Sequence, residues 1–176
     1  DSVRSSMGQG TNNYTTSQLA RYISAVANRG TVYDLTLLDR VETVDGKVKM
    51  QQKPKIKNTV EGISQNTWDL VHAGMRGVVE NNHTVFGKLN ISEIQLFGKT
   101  GTAQQSTSHP DHGLFVGFAP SSNPELAMAI RIANGYSSTF AAEVGNDVME
   151  YYYEITAPEE LITGTAKKVT VSAHSD

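Results

Sequence analysis

The feature that most constrains the fold is a run of three strand-like segments between residues 94 and 132. Strand-forming residues from Ile94 to Phe97 lead into the first segment, which carries the motif Lys99-Thr-Gly-Thr102. The second segment, His112 to Ala119, is almost continuously apolar, which is typical of a strand buried on both faces. Larger apolar residues then recur at every second position from Leu126 to Ile132. Because the connections between these segments are short, we expect an antiparallel meander.

Three helices are expected around this meander. A capping box, Thr15-Thr-Ser-Gln18, begins the first helix, and Gly30 is placed to end it. Ser64 can cap a second helix that ends at Asn81-Asn-His83, and Ser137-Ser138 precedes the last helix. Apolar residues at spacings of three and four predict the buried face of each helix. In the first helix these residues are Leu19, Tyr22, Ile23, Val26 and Ala27, and in the second they are Trp68, Val71, His72, Met75, Val78 and Val79. In the last helix they are Phe140, Ala141, Val144, Val148, Met149 and Tyr152.

The remaining segments complete the predicted architecture. Residues from Val32 to Met50 suggest a hairpin around an Asp45-Gly46 turn, and residues 51–60 suggest an exposed, mildly basic connection. Gly74 and Gly77, inside the second helix, are attributed to close helix packing. The predicted fold class is α/β of the α+β type, an antiparallel sheet flanked by helices. We assign residues 1–156 to one domain and residues 157–176, which contain few apolar residues, to an extended tail.

The composition narrows the possible functions. The chain has 176 residues, enough for one domain with a substantial core, and its formal net charge of −3 argues against a nucleic-acid partner. There is no cysteine, hence no disulfide or thiolate chemistry. We interpret His109-Pro-Asp-His112 as a loop and strand entry rather than a metal site, and His72 as a packing residue. No metal or cofactor is expected.

The candidate site is the motif in the first strand. Lys99 supplies a cation, Thr100 and Thr102 supply hydroxyl donors, and Gly101 has no side chain to obstruct a ligand lying along the strand. An extended peptide that pairs with this strand would bring its terminal carboxylate to the hydroxyls. Strand alternation places Lys99 and Gly101 on one face and the threonines on the other. All four can therefore serve one ligand only if the ligand lies along an open edge of the sheet.

Three stretches in this order resemble the transpeptidase domain of class B penicillin-binding proteins, and the match extends from about residue 8 to residue 155. They are Gly8-Gln-Gly-Thr-Asn-Asn-Tyr-Thr-Thr-Ser-Gln-Leu-Ala20 with Ala27-Asn-Arg-Gly30, Gly98-Lys-Thr-Gly-Thr-Ala-Gln104, and His112-Gly-Leu-Phe-Val-Gly-Phe-Ala-Pro120. The resemblance implies the fold shared by these domains and the β-lactamases, whose sheet has five strands. This chain would contain the last three strands, as the C-terminal part of the domain.

The resemblance also implies an activity. In this family a serine of a Ser-x-x-Lys motif attacks the carbonyl of a stem peptide that ends in D-alanyl-D-alanine, and the acyl-enzyme then cross-links peptidoglycan. β-Lactams mimic that end and acylate the same serine. By analogy, Lys99 would support proton transfer, Thr100 and Thr102 would hold the substrate carboxylate, and the Thr102 backbone N–H would form half of the oxyanion hole. The implied parent is membrane-anchored, with its catalytic domain on the extracytoplasmic face of the bacterial membrane.

The sequence departs from the family pattern in one decisive respect, because it contains no Ser-x-x-Lys. One serine-x-asparagine match, Ser121-Ser-Asn123, follows the Lys-Thr-Gly motif instead of preceding it and is interpreted as a chance match. We therefore expect the nucleophile to lie in a missing N-terminal half of the protein, and this chain alone to be inactive. Two alternatives remain open: a related β-lactamase or β-lactam sensor, and a non-catalytic wall-binding module.

Overall fold

The computed structural model describes residues 12–91, 93–105 and 107–162, together with Val3 and Gly10. No helix in these ranges is both long and apolar enough to cross a bilayer. In chain order the helices and strands are α1 (Thr16–Ala27), β1 (Thr31–Tyr33), β2 (Arg40–Glu42), β3 (Val48–Gln51), β4 (Ile56–Thr59), α2 (Gln65–Glu80), α3 (His83–Ile91), β5 (Phe97–Ala103), β6 (His112–Ala119), β7 (Leu126–Ile132), α4 (Ser138–Tyr152) and α5 (Pro158–Leu161).

The central sheet is the predicted antiparallel meander. Its strand order is β5-β6-β7, and both pairings are antiparallel. Phe97 pairs with Phe118 and Ala103 with His112, so β5 lies against β6 over its whole length. Phe115 and Phe118 are fully buried on β6, as expected for a strand covered on both faces.

Each face of the sheet supports its own hydrophobic core, because consecutive side chains on β6 point to opposite faces. One core surrounds Phe97 and Phe118 and includes Trp68 and Met75 of α2; its α1 members are Ile23, Val26 and Ala27. The other core surrounds Phe115. Its further buried members come mainly from α2, α3, β7 and α4, and they are Val79, Val85, Phe86, Leu89, Leu96, Ala119, Met128, Ala141, Ala142 and Met149.

The predicted starts of the helices are confirmed. Thr15 and Gln18 form the capping box of α1, with the Gln18 backbone N–H donating to Thr15 Oγ1 at 3.1 Å. The Ser64 hydroxyl accepts from the Thr67 N–H at 3.2 Å at the start of α2. The predicted buried faces are less accurate, because Tyr22 and Val71 are exposed. Close packing does not explain Gly74, since a Cβ there would have no neighbour within 4 Å.

The predicted buried face of the last helix is wrong in part, because the buried face is rotated about the helix axis. The predicted residues Val144, Val148 and Tyr152 are between 41% and 51% exposed. Ala141 and Met149 are buried as predicted, and the other buried residues of α4 are Ala142, Gly145, Asn146 and Glu150. A Cβ at Gly145 would lie only 2.5 Å from Phe115 Cδ1. The helix therefore approaches the sheet so closely that its face of small residues, rather than its valines, forms the contact.

Two small sheets replace the single predicted hairpin and the exposed connection that follows it. β2 and β3 pair around the Asp45-Gly46 turn, which confirms the turn. β1, however, pairs with β4, and Thr31 lies opposite Thr59. Residues 56–59 are thus a strand and not a connection, because their backbone pairs with a segment more than twenty residues away.

Two further helical segments were not predicted. α3 follows α2 directly, after the Asn81 cap, and buries Phe86 and Leu89. Residues Pro158–Leu161, predicted to be extended, form one short helix with proline in its first turn, where the missing N–H costs nothing. Residues 163–176 lie outside the described ranges, and the domain boundary at residue 156 stays a prediction.

Candidate active site strand

The motif lies on an edge strand of the central sheet. β5 pairs with β6 on one side, and among the described residues no strand pairs with its other side. Lys99 lies opposite Val116 and Thr102 opposite Gly113. This arrangement meets the condition set by strand alternation, because side chains from both faces of an edge strand can contact a ligand that lies along it.

The exposure of the motif residues differs from that of the residues leading into the strand. Phe97 and Gly98 are buried, whereas Lys99 is exposed and residues 100–102 are half-buried. The Lys99 Nζ atom donates to the carbonyl oxygen of Thr100 at 2.9 Å. The strand therefore leaves the core at Lys99, and its second half presents an ammonium group and two hydroxyl-bearing residues at the surface.

The glycines of the sheet separate into two groups by what surrounds them. A Cβ at Gly98 would lie 2.7 Å from Phe115 Cε2, and a Cβ at Gly117 would lie 2.9 Å from the Phe97 carbonyl oxygen. At Gly101 the nearest atom to a Cβ would be Leu114 Cβ, at the ordinary contact distance of 3.6 Å. Packing within the described structure thus requires glycine at positions 98 and 117 but not at position 101.

The serine-x-asparagine match at Ser121 does not approach the motif, and Ser64 of the match Ser64-Gln-Asn66 caps α2. Ser121 follows β6, and its hydroxyl donates to Gln95 Oε1 at 2.8 Å, just before β5 begins. Thr102 is near the opposite end of β5. The interpretation of Ser121-Ser-Asn123 as a chance match agrees with this placement.

The histidines occupy two different environments. His72 is 5% exposed, its Nε2 lies 2.8 Å from the Val26 carbonyl oxygen, and its ring packs against Phe97 and Phe118, which confirms the predicted packing role. His112 is also buried and lies among polar groups at the start of β6. The pKa of His112 is lowered by burial and by the Arg131 guanidinium, while the Asp111 carboxylate opposes the shift.

Within the described ranges, no cluster of three or more histidine, aspartate or glutamate side chains is arranged to hold a metal ion. Two surface cavities of about 450 and 470 Å³ lie elsewhere, one beside Lys88 and Glu150 and the other beside Leu35 and Pro54. The motif lines neither of them. Among the described residues, the candidate site is defined by the open edge of β5.

Comparisons with known proteins identify the family. The family model described as the penicillin binding protein transpeptidase domain matches residues 1–150. The peptidoglycan D,D-transpeptidase MrdA of Acinetobacter baumannii is 30% identical over 166 residues, which cover 86% of this chain. Penicillin-binding protein 2A of Bacillus subtilis is 28% identical over 174 residues, 88% of this chain. The match spans 24% of the length of each of these two relatives.

A solved structure gives the same result. PBP2 of Pseudomonas aeruginosa, in complex with WCK 5153, is 35% identical with a TM-score of 0.63, and the match covers 82% of this chain and 31% of that chain. The mixed α/β fold with its antiparallel sheet is thus the fold of these transpeptidases. The chain belongs to the family of penicillin-binding-protein transpeptidase domains and contains part of such a domain.

Proposed function

We propose that this chain is the C-terminal part of the transpeptidase domain of a class B penicillin-binding protein. The parent is a serine D,D-transpeptidase that cross-links peptidoglycan and is acylated by β-lactams. This chain supplies the strand that binds the substrate carboxylate, and an N-terminal half of the same protein supplies the nucleophile. The β-lactamase, sensor and wall-binding alternatives are less favoured, because named relatives of this chain are D,D-transpeptidases.

The observation that carries the proposal is the combination of an open strand edge with Gly101. Lys99, Thr100 and Thr102 lie on an edge strand, at the point where it leaves the core. The fold requires glycine at positions 98 and 117 but allows a larger residue at position 101. A ligand backbone lying against the strand explains why position 101 lacks a side chain, since a methyl group there would occupy the ligand's space.

The proposed reaction proceeds in two acyl transfers. The upstream serine attacks the carbonyl carbon of the penultimate D-alanine, the peptide bond breaks, and the terminal D-alanine leaves with a proton on its nitrogen. An amine of a second stem peptide then attacks the acyl-enzyme, forms the cross-link and returns the proton to the serine. In both steps the Thr102 N–H stabilises the oxyanion and Lys99 assists proton transfer. Thr100 and Thr102 hold the terminal carboxylate in the first step, before the D-alanine that carries it leaves.

Two exposed features of the structure are expected if an N-terminal half of the domain normally packs against this chain. β7 has β6 on one side and no other strand partner among the described residues. The outward face of α4 exposes Val144, Val148, Tyr151 and Tyr152. An open strand edge and an apolar helix face are both surfaces that proteins normally cover. We assign both surfaces to the missing half, which brings the remaining strands of the family's five-stranded sheet.

We expect the parent protein to lie on the extracytoplasmic side of the bacterial membrane, where its substrate is located.

Fluorescent-penicillin labelling tests the proposal. This chain alone should not be acylated, because no serine in it is followed three residues later by lysine. A protein extended upstream to include a Ser-x-x-Lys serine should be labelled with one adduct per molecule, detected by intact-mass analysis, and replacing that serine with alanine should abolish the label. A stoichiometric adduct on the chain alone, or an extended protein that contains the motif and is never labelled, would contradict the proposal.

A further inference from the structure

The ring of His112 is surrounded by three polar groups from three different segments. Its Nε2 lies 2.6 Å from Gln105 Oε1, in the loop after β5. The same Nε2 lies 2.9 Å from Arg131 Nη2 on β7. Its Nδ1 accepts a hydrogen bond of 2.9 Å from the backbone N–H of Asn134, in the turn between β7 and α4. The residue is 7% exposed, so water has little opportunity to replace these partners.

These partners favour one protonation state of the ring. The Asn134 N–H and the Arg131 guanidinium can only donate, whereas Gln105 Oε1 can only accept. A neutral ring with its proton on Nε2 satisfies Gln105 and Asn134. The other neutral tautomer satisfies only Arg131, and the imidazolium satisfies only Gln105. The geometry therefore assigns a neutral ring with the proton on Nε2, which joins Gln105 to Asn134.

The two segments that His112 joins meet at the far end of the motif strand. His112 pairs with Ala103, and the next residue, Gly113, pairs with Thr102. The β7–α4 turn presses directly on this position, because a Cβ at Gly113 would collide with the Ser137 carbonyl oxygen. A shift of this turn, or of the loop that follows β5, therefore also moves the backbone around Thr102.

The turn adopts a backbone conformation that needs external support. Asn134 and Tyr136 have φ values of 52° and 65°, a region that is uncommon for residues other than glycine. The Tyr136 N–H donates to the Asp111 carbonyl oxygen at 3.1 Å, one residue before His112. Residues 111 and 112 thus hold both ends of the strained segment, one through its backbone and the other through its ring.

We propose that His112 is a positioning residue of the acylation site: its neutral ring ties the exit of the motif strand to the β7–α4 turn and thereby fixes the oxyanion-hole N–H and the hydroxyl of Thr102. This inference rests on the proposed function. The charged groups that face the ring are Arg131 on β7, which opposes protonation, and Asp111 at the start of β6, which favours it. Protonation removes the acceptor for Asn134, so the tie is present in neutral solution and is lost as the pH falls through the lowered pKa of His112.

The test uses the protein extended upstream and measures the second-order rate of acylation by fluorescent penicillin between about pH 8 and pH 5, the range in which histidine titrates. His112→Leu should slow acylation roughly three- to tenfold at neutral pH, as expected for the loss of one or two hydrogen bonds, and should remove part of the decrease seen at acid pH. His112→Asn keeps an acceptor near the Nδ1 position and should recover part of the rate. Rates are compared per folded molecule, at a temperature at which circular dichroism shows each variant folded.

Two further variants separate positioning from general stability. Gln105→Ala removes the hydrogen bond between the His112 ring and the Gln105 side chain. Because Gln105 is exposed, this variant should slow acylation about threefold without unfolding the protein. His109→Asn changes an exposed histidine of the same loop, whose ring forms a hydrogen bond with the neighbouring Ser108, and should leave the rate and the pH profile unchanged.

The possible results of these acylation measurements distinguish the positioning role of His112 from the proposed function. A labelled wild-type protein whose His112 and Gln105 variants keep its rate and pH profile overturns the positioning role and leaves the proposed function intact. A wild-type protein that contains the upstream serine and is never labelled overturns the proposed function, and the positioning role with it. Loss of rate in Gln105→Ala together with partial recovery in His112→Asn supports the tie.

Discussion

Replacing Gly101 with alanine separates the demands of the fold from those of the ligand. A Cβ at this position would meet Leu114 Cβ at 3.6 Å and Leu114 Cδ1 at 3.9 Å, both ordinary contacts. The backbone at Gly101 is not among those with positive φ, so alanine can adopt its conformation. Glycine inside a strand is less stable than alanine by roughly 0.5–1 kcal/mol. Gly101→Ala should therefore leave the free energy of unfolding unchanged or raise it by up to about 1 kcal/mol.

The same substitution should impair acylation. If a peptide or β-lactam lies against β5 at Gly101, the added methyl group occupies ligand space, and overpacking of this kind costs roughly 1–3 kcal/mol. That cost corresponds to a second-order acylation rate lower by about 5- to 150-fold. The assay is fluorescent-penicillin labelling of the upstream-extended protein, with thermal unfolding measured on the same samples.

Gly145→Ala is the comparison variant for a structural glycine, because it adds the same methyl group inside the core and not at the open edge of β5. Its Cβ would lie 2.5 Å from Phe115 Cδ1, and Phe115 is fully buried. This variant should lower the melting temperature. Two results for Gly101→Ala would refute the reasoning: an unchanged acylation rate, which means that no ligand lies there, or a loss of stability as large as that of Gly145→Ala, which makes the glycine structural.

Two further predictions concern the motif and α2. Thr100→Val and Thr102→Val each remove a hydrogen bond to a charged group, worth about 1.5–3 kcal/mol, and should slow acylation roughly ten- to a hundredfold with little change in melting temperature. Normal acylation rates in both variants would exclude the carboxylate role. Lys99→Ala tests the proton-transfer role in the same assay. Gly74→Ala, on an open face of α2, should raise the free energy of unfolding by about 0.5–1 kcal/mol in chemical denaturation. A decrease for Gly74→Ala would show that a segment outside the described residues packs there.

The sequence alone predicted the structural features that depend on residues close together in the chain. The caps at Thr15 and Ser64 were predictable because a cap depends on side chains within three or four residues of the helix start. The β5-β6-β7 meander was predictable because alternation and short connections leave few other arrangements. The motif from Lys99 to Thr102 was likewise visible, since its chemistry is carried by consecutive residues.

The histidine network was visible only in part. The sequence predicts that His109-Pro-Asp-His112 is a loop and a strand entry, and His112 does begin β6. The partners of His112 come from segments seven and twenty-two residues away in the chain, at Gln105 and Asn134. No local pattern indicates that these residues meet.

Only the tertiary structure decided which surfaces meet across distance. The buried face of α4 is set by the space beside Phe115, which admits Gly145 and excludes valine, although the valines have the stronger hydrophobic pattern. The pairing of β1 with β4 and the position of β5 at the sheet edge likewise depend on segments distant in sequence. A residue's periodicity and chemistry are encoded locally, but close packing depends on the shape of a partner that the chain brings alongside only when it folds.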